Sequence, residues 1–328
     1  MRAAYYEKNG TARDVLRVGD IETPVPGPGE VRVKLVASGV NPSDVKSREG
    51  RTRKIAFPRV IPHSDGAGEI DMVGDGVPKS RMGERVWTWN AQWKRAFGTG
   101  ADYVVLPAAL AASLPAQVSF EAGACLGIPA MTAQHAVAVA GAGKGMTVFV
   151  SGGAGGVGHY AIQFAKARGA TVITTISSEA KAKLAQQAGA DHVIDYKRDN
   201  VAERVAAITG KKGVDAVIEM DLAANAKVYP GILHARSNVV VYGTGSAEAA
   251  IPAQFLLVNA IAIKFVFVYE LTDAERTAAV NDINRMLVDK MLINNVALTF
   301  PLADIIAAHE AVEQGKALGN VVVRVGGA

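Results

Sequence analysis

A glycine-rich segment carries the clearest chemistry in the sequence. Gly153, Gly155 and Gly158 have the spacing GxGxxG, directly after the apolar run 147–150 and before a helix-like run that begins at His159. Between a strand and a helix, glycines at this spacing let the backbone approach a pyrophosphate, whose charge is stabilised by the free amides at the helix start. We predict that this loop binds a dinucleotide through residues Gly152, Gly153, Ala154, Gly155, Gly156, Val157 and Gly158.

The end of the next apolar run indicates which dinucleotide the loop would hold. NAD-specific folds usually place an acidic residue there, which binds the ribose hydroxyls. Here residues 170–176 run into Ser177, and the first acidic residue is Glu179, with Lys181 close behind it. Hydroxyl donors and a cation suit a 2′-phosphate better than a carboxylate does. We therefore predict NADPH, with its 2′-phosphate held by Ser177, Lys181 and Tyr196, and Glu179 keeps NADH as the alternative.

The histidines and the cysteine argue against a metal centre. The sequence holds six His and one Cys, and no two histidines have the spacing of a zinc site. His63 and Asp65 come closest to a ligand pair, but catalytic zinc needs a third protein ligand. Cys125 lies in an apolar segment without an adjacent base, which favours an inert buried thiol. We predict no metal, and an acceptor that is polarised by hydrogen bonds alone.

Apolar runs and helical stretches predict the elements that position these residues. Short alternating runs separated by Pro and Gly make the first third β-rich, as at 31–36, 84–87 and 102–106. After residue 123 the pattern changes to β-branched runs that alternate with amphipathic segments, as in parallel βαβ units. The six predicted strands are 147–150, 171–174, 192–194, 215–218, 238–241 and 263–268. Six strands make a full dinucleotide-binding fold.

The end of the chain predicts how its two parts are connected. A helix over 273–290 precedes a closing strand over 320–325, which we expect to complete the N-terminal domain. The predicted fold class is therefore α/β, a Rossmann doubly wound parallel sheet inserted in a β-rich domain. The predicted domains are residues 1–122 with 270–328, and residues 123–269.

Composition and the sheet edge limit the partners. The formal net charge is +4 without a run of five like charges, so nothing indicates a nucleic-acid partner. No apolar stretch reaches the roughly 18 residues of a membrane helix, and residues 1–8 lack the apolar core of a signal peptide. We expect a cytoplasmic protein with no membrane partner. The last Rossmann strand, 261–268, would be an open edge, and we predict a homodimer through it.

Several segments together resemble one family. Besides the glycine loop they are 39–44 (GVNPSD), 63–70 (HSDGAGEI), 83–87 (GERVW), 127–133 (GIPAMTA), 308–311 (AHEA) and 319–323 (GNVVV). On these residues, and over nearly its whole length, the chain resembles the zinc-free quinone oxidoreductases. These are the zeta-crystallin-like branch of the medium-chain dehydrogenase/reductase superfamily. The resemblance implies that the β-rich domain is a GroES-like catalytic domain and that residues 123–269 are a Rossmann NADP-binding domain.

The resemblance also implies roles for particular residues. Asn41 and Asp44 match the family's substrate pocket, where Asn41 would donate a hydrogen bond to the acceptor carbonyl. Asp44 would relay a proton or, alternatively, cap the helix that begins after Pro42. The residues that match contacts to the rest of the cofactor are Thr132, Tyr242, Gly243, Thr244, Phe267, Val268 and Asn320. Thr132 has the alternative role of a helix-start cap.

One departure from the family concerns the acceptor. Some relatives have tyrosines just after this motif, and related enoyl-thioester reductases use one as proton donor, whereas this chain has Lys46 and Thr52. The basic residues of the stretch either favour an anionic acceptor or form a solvated loop; they are Lys46, Arg48, Arg51 and Arg53. We predict hydride transfer from NADPH to a quinone or a similar activated carbonyl. Reduction of an alkenal or enoyl substrate is one alternative, and a non-enzymatic NADPH-sensing or RNA-binding protein is another.

Overall fold

The computed structural model describes residues 1–326. Its strands are β1 (Arg2–Tyr5), β2 (Arg17–Asp20), β3 (Glu30–Val40), β4 (Asp65–Val73), β5 (Arg85–Thr88), β6 (Tyr103–Pro107), β7 (Ala111–Ser113), β8 (Thr147–Val150), β9 (Thr171–Ile176), β10 (His192–Asp195), β11 (Val214–Glu219), β12 (Leu233–Val241), β13 (Ala262–Phe265), β14 (Val296–Pro301) and β15 (Asn320–Arg324). Its α-helices are α1 (Ala12–Val15), α2 (Pro42–Glu49), α3 (Phe120–Gly123), α4 (Met131–Ala140), α5 (Gly156–Ala167), α6 (Glu179–Gln187), α7 (Val201–Thr209), α8 (Leu222–Asn225), α9 (Tyr229–Ile232), α10 (Ala253–Val258), α11 (Asp273–Val288) and α12 (Ile305–Glu313).

The chain forms two compact units. The first consists of residues 1–129 together with the chain from residue 280 onward, and the second of residues 130–279. The second unit is therefore inserted in the sequence of the first. The extent of the functional domains, with limits at residues 122 and 270, stays a prediction.

The first unit is built on a long strand, β3, whose residues alternate between a buried and a solvent-facing side over 30–36 and are all buried over 37–40. Val31, Val33 and Leu35 are buried, while the residues between them are partly or fully exposed. The sheet order is β14-β15-β3-β4-β5-β7, and β6 also pairs with β3. Because β15 pairs antiparallel with β3, the C-terminal strand completes the N-terminal sheet, as predicted.

The second unit is a six-stranded parallel sheet in the order β10-β9-β8-β11-β12-β13. In chain order this is 3-2-1-4-5-6, the arrangement of a Rossmann fold, and the predicted fold class is confirmed. Its core contains Phe149, Ile173, Val217 and Tyr229.

The ends of several predicted elements differ from the structure by a few residues. The sixth Rossmann strand ends at Phe265, not at residue 268, because its last ladder partner is Val241 at the end of β12. Val268 begins a short 3-10 turn instead. The predicted helix 273–290 ends at Val288, and the closing strand ends at Arg324. Within residues 1–326, no helix combines the length and the apolar character that crossing a bilayer requires.

Candidate functional site

The glycine loop joins β8 to α5, as predicted, and its shape depends on glycine. Gly152 has φ +68, a left-handed conformation that residues with a side chain rarely adopt. A Cβ on Gly158 would overlap the carbonyl oxygen of Gly152, and a Cβ on Gly153 would overlap Thr174 Oγ1. At Gly153 and Gly158 the neighbouring atoms therefore leave room for a hydrogen atom but not for a side chain, and we call this part of the loop its cradle. The backbone of the loop is consequently free of side-chain cover where a ligand would lie.

Neighbouring strands hold the loop in place. The amide of Gly152 donates to Thr175 Oγ1 at 3.1 Å, and the amide of Gly153 donates to the Thr175 carbonyl at 3.2 Å. On the other side, the Ser151 amide donates to the Ile218 carbonyl at 3.0 Å. The first amides of α5 have no acceptor within their own helix, and the helix dipole adds positive potential there. This end of α5 is therefore suited to bind a phosphate anion.

Ser177, Lys181 and Tyr196 lie together at the ends of two neighbouring strands. β9 ends at Ile176 and β10 at Asp195, and these two residues are partners in the parallel ladder. The Tyr196 amide donates to the Ile176 carbonyl at 3.1 Å, and Lys181 Nζ donates to Ser177 Oγ at 3.0 Å. The structure thus brings together the three residues that the sequence predicts for the 2′-phosphate.

Glu179, the residue that kept NADH as an alternative, pairs with a different lysine. Its side chain is 86% exposed and lies 3.4 Å from Lys183 Nζ, one turn along α6. The Glu179 carboxylate therefore does not neutralise Lys181, whose amino group is bound to a hydroxyl. A cation beside a hydroxyl fits a 2′-phosphate better than it fits an unmodified ribose.

The residues predicted to contact the rest of the cofactor follow other strands of the same sheet. Residues 242–244 come directly after β12, and Phe267 and Val268 come just after β13. Because the strands are parallel, their carboxyl ends share one edge of the sheet with the glycine loop. Burial and the negative charge of Glu219 raise the pKa of Tyr242, so its hydroxyl stays protonated.

Two of the predicted cofactor residues, Thr132 and Asn320, do not follow a strand of this sheet. Thr132 lies inside α4, whose N-cap position is occupied by Ala130, so the alternative role of Thr132 as a helix cap is wrong. Asn320 belongs to the first unit, where its Nδ2 donates to the Asn295 carbonyl at 3.1 Å. Its contact with a cofactor stays a prediction.

In the first unit, Asn41 connects two buried carboxyl groups. The backbone N–H of Asn41 donates to Asp44 Oδ2 at 2.8 Å. This bond closes the first turn of α2, as expected if Asp44 helps to cap the helix. The side-chain Nδ2 of Asn41 donates to Asp65 Oδ2 at 2.7 Å. Asp65 also accepts the amide of Ile128, which lies 2.9 Å from each of its carboxylate oxygens. We call Asn41, Asp44 and Asp65 the carboxyl cluster.

Burial determines the protonation of the carboxyl cluster. It raises the pKa of Asp44 to about 7, although hydrogen bonds from Asn41 oppose the rise. Burial also raises the pKa of Asp65 well above its usual range, and the negative charge of Asp44 raises it further. Two carboxyl groups this close do not both ionise readily, so the cluster holds a proton near neutral pH.

Comparison with known proteins gives the family of this chain. The model "Alcohol dehydrogenase GroES-like domain" matches residues 27–116, and the model "Zinc-binding dehydrogenase" matches residues 156–285. A quinone oxidoreductase of Rattus norvegicus is 37% identical over 241 residues, which cover 72% of this chain and 71% of the relative. The chain belongs to the quinone oxidoreductase family of the medium-chain dehydrogenase/reductase superfamily.

Two further relatives extend this comparison to the whole chain. A 2-haloacrylate reductase of a Burkholderia species is 29% identical, with 98% of each chain covered. The structure of the Escherichia coli quinone oxidoreductase complexed with NADPH has a TM-score of 0.88 and 27% identity, and covers 99% of this chain and 100% of that one. Both relatives therefore match this chain over nearly its whole length.

His63, the residue nearest to a metal-ligand pattern in this family member, is part of a buried hydrogen-bond chain. His63 Nδ1 lies 2.8 Å from Ser38 Oγ, and His63 Nε2 lies 3.0 Å from His309 Nε2. Ser38 Oγ in turn lies 2.7 Å from Thr99 Oγ1. Burial lowers the pKa of His63 to about 3, so the ring is neutral. Among the residues that the structure describes, no three His, Cys, Asp or Glu side chains lie together as a metal site.

Cys125 is the buried thiol that the sequence predicts. It is 1% exposed, and its Sγ donates to the Glu121 carbonyl at 3.3 Å. Burial raises the pKa of the Cys125 thiol, which keeps it protonated.

The basic stretch after Asp44, residues 46–53, does not form a solvated loop, which was one of the two predictions for it. Lys46 and Arg48 lie on α2, and Arg48 is completely buried with Nη2 at 2.6 Å from Glu313 Oε1. Arg53 is half-buried and donates from Nε to Ser47 Oγ at 3.2 Å. Of the four basic residues, only Arg51 is as exposed as a solvated loop requires, with a side chain that is 63% exposed.

Asp65 is the residue of the site that the sequence-based reasoning missed. In the sequence it stands out only beside His63, as one of two possible metal ligands. The available signal was the position of Asp65 at the start of the buried strand β4. Carboxylates are rarely tolerated there without partners.

Proposed function

We propose that the protein is an NADPH-dependent oxidoreductase that reduces a quinone. The observation that carries this proposal is the pairing of Lys181 with Ser177 at the end of β9, beside a glycine loop whose cradle excludes side chains. The pyrophosphate would lie against the amides of 156–158, and the 2′-phosphate against Lys181 and Tyr196. When bound there, NADPH supplies the hydride. The E. coli relative, solved with NADPH, supports this choice of cofactor.

The carboxyl cluster would receive the acceptor. One N–H of the Asn41 amide group is used by Asp65, and the other can donate to the carbonyl oxygen that becomes negative as hydride arrives. Asp65 fixes the direction of the Asn41 amide, which favours a preorganised donor. A proton from Asp44 or Asp65 and the hydride together convert a quinone to a hydroquinone, so charge and atoms balance. Holding, polarising and protonating the acceptor are the tasks of these residues.

A second candidate function is the reduction of an activated C=C bond next to a carbonyl group. It is favoured by the relative named 2-haloacrylate reductase, which matches nearly the whole chain. The carboxyl cluster would serve both reactions, since both develop negative charge on an oxygen and consume one proton. Because Lys46 and Thr52 stand where some relatives have tyrosines, we assign the proton to the buried carboxyl groups in either case.

NADPH consumption with two panels of acceptors tests the proposed function. One panel contains quinones and the other contains alkenals and α,β-unsaturated acids, each at saturating NADPH. We expect turnover with quinones above that with alkenes. Preference for alkenes would select the second candidate. Background rates with both panels would contradict the reductase function.

We also propose that the protein is a cytoplasmic homodimer that pairs through β13. This strand is at the edge of its sheet, and Phe265 on it is 72% exposed. Leu257 and Val258 on the preceding helix are 79% and 71% exposed. An open strand beside exposed apolar side chains favours pairing with a second copy. Light scattering should give twice the monomer mass, and Phe265→Asp should give the monomer mass; a monomeric wild type would contradict the proposal.

A further inference from the structure

Arg53 is held in place by neutral groups. Its Nε donates to Ser47 Oγ at 3.2 Å, and its Nη2 donates to Gln92 Oε1. Its guanidinium carbon lies 5.2 Å from the centroid of the Trp93 ring. A hydroxyl, an amide oxygen and an aromatic face orient the guanidinium without cancelling its charge.

The neighbouring arginines are neutralised, and this contrast singles out Arg53. Arg48 Nη2 lies 2.6 Å from Glu313 and 3.3 Å from Glu49. Arg51 Nε lies 2.5 Å from Glu49. Within the described range 1–326, no carboxylate lies within 4.0 Å of the Arg53 guanidinium. Of these three cations, Arg53 therefore keeps the largest unbalanced charge.

Arg53 binds the helix that carries Asp44, and its charge reaches the carboxyl cluster. Its partner Ser47 is three residues after Asp44 on α2, so the two side chains are on one face of the helix. The positive charge of Arg53 lowers the pKa of Asp44 against the larger effect of burial, and it acts in the same direction on Tyr6. Gln92, which anchors Arg53, is 6% exposed, so the anchor itself is fixed in the structure.

We propose that Arg53 is a specificity-determining residue that binds an anionic group of the acceptor, such as a carboxylate. The preferred substrates would then be quinones, or activated alkenes, that carry a negative charge close to the carbonyl that is reduced. This inference rests on the proposed function, since it assumes that the acceptor is bound at the carboxyl cluster. A fixed guanidinium binds a carboxylate through charge-assisted hydrogen bonds, which are about twice as strong as neutral ones. Ser47, Gln92 and Trp93 position the guanidinium for this contact.

A matched pair of acceptors tests the inference. The pair is a 1,4-naphthoquinone that bears a carboxylate and the methyl ester of the same quinone, both assayed at saturating NADPH. We expect kcat/KM to be at least tenfold higher for the carboxylate. Arg53→Gln should reduce this ratio by about tenfold or more, mainly through KM, because a charged hydrogen bond is lost. Arg53→Lys should retain part of the ratio, and the exposed control Arg51→Gln should retain all of it.

The outcomes separate the inference from the function on which it rests. If both quinones are reduced and the ratio is the same in wild type and Arg53→Gln, the role of Arg53 is overturned and the reductase function stands. If neither quinone is reduced, the reductase function fails, and calorimetric titration with naphthalene-2-carboxylate decides on Arg53 alone. Binding that weakens at least tenfold in Arg53→Gln supports an anion site. No binding, or equal binding in both proteins, overturns it.

Discussion

The glycine loop and the carboxyl cluster use opposite means to prepare for a ligand. The loop, in the second unit, presents backbone amides and depends on side chains that are missing, as at Gly153 and Gly158. The cluster, in the first unit, presents three polar side chains that are almost completely buried, and Asn41 donates to both carboxyl groups, to Asp44 from its backbone N–H and to Asp65 from its side chain. A backbone site of this kind recognises the phosphate groups that dinucleotides share, whereas the carboxyl cluster would serve the reduction of a quinone and of an activated alkene alike. The difference explains why a cofactor is easier to assign here than an acceptor.

Among the substitutions that test this difference, that of a loop glycine should cause the largest loss, and the loss should be in NADPH affinity. Gly158→Ala places a Cβ against the carbonyl oxygen of Gly152, so the loop must move away from the phosphate position. We expect NADPH affinity to fall more than 100-fold, measured as loss of the rise in melting temperature that NADPH causes. Gly143→Ala is the matched control, because the nearest atom to its Cβ is 3.9 Å away. An unchanged NADPH response in Gly158→Ala would show that the loop does not hold the cofactor.

Loss of the Asn41 amide should affect the acceptor and leave the cofactor site as it is. In Asn41→Ser the residue before α2 remains a good helix cap, but the amide that would donate to the acceptor oxygen is replaced by a shorter hydroxyl, which loses the bond to Asp65. We expect kcat to fall about 100-fold with little change in NADPH affinity, as for other donors of this kind. Steady-state kinetics with a quinone measure this, and a kcat within threefold of wild type contradicts the assigned role.

The glycine loop and the carboxyl cluster also differ in how much of each could be predicted from the sequence. The position of the glycine loop between β8 and α5, and the closeness of Lys181 to Ser177, could be predicted because each depends on neighbours in the sequence. Asp65 could not be found in this way, since its partners Asn41 and Ile128 are separated from it by 24 and 63 residues. The burial of Arg48 was missed for the same reason, because its partner Glu313 lies 265 residues away.

Removal of the lysine charge should affect the choice between the two coenzymes. Lys181→Gln deletes the cation that would face the 2′-phosphate, and a charged hydrogen bond contributes about 1.5–3 kcal/mol. We expect NADPH to bind about 10- to 100-fold more weakly and NADH affinity to change less than twofold. Lys183→Gln is the control, since that lysine pairs with Glu179 on the exposed side of α6. Equal losses for both coenzymes would contradict a 2′-phosphate contact.

The pH dependence of the rate sharpens the account of the carboxyl cluster. Burial raises the pKa of Asp44 to about 7, and a proton donor must be protonated to act. We therefore expect kcat/KM to be constant at acidic pH and to fall as the pH rises through about 7. Asp44→Asn should lower the rate and remove this fall, whereas Asp75→Asn, in an exposed turn, should keep it. An unchanged profile in Asp44→Asn would assign the proton to another group.

The central claim is that the second unit selects the phosphorylated coenzyme. Titration of the wild-type protein with NADPH and with NADH, each followed to saturation by calorimetry, tests it without reference to any acceptor. With Lys181 and Ser177 at the 2′-phosphate, NADPH should bind at least tenfold more tightly than NADH. Equal affinity, or tighter binding of NADH, would contradict the account.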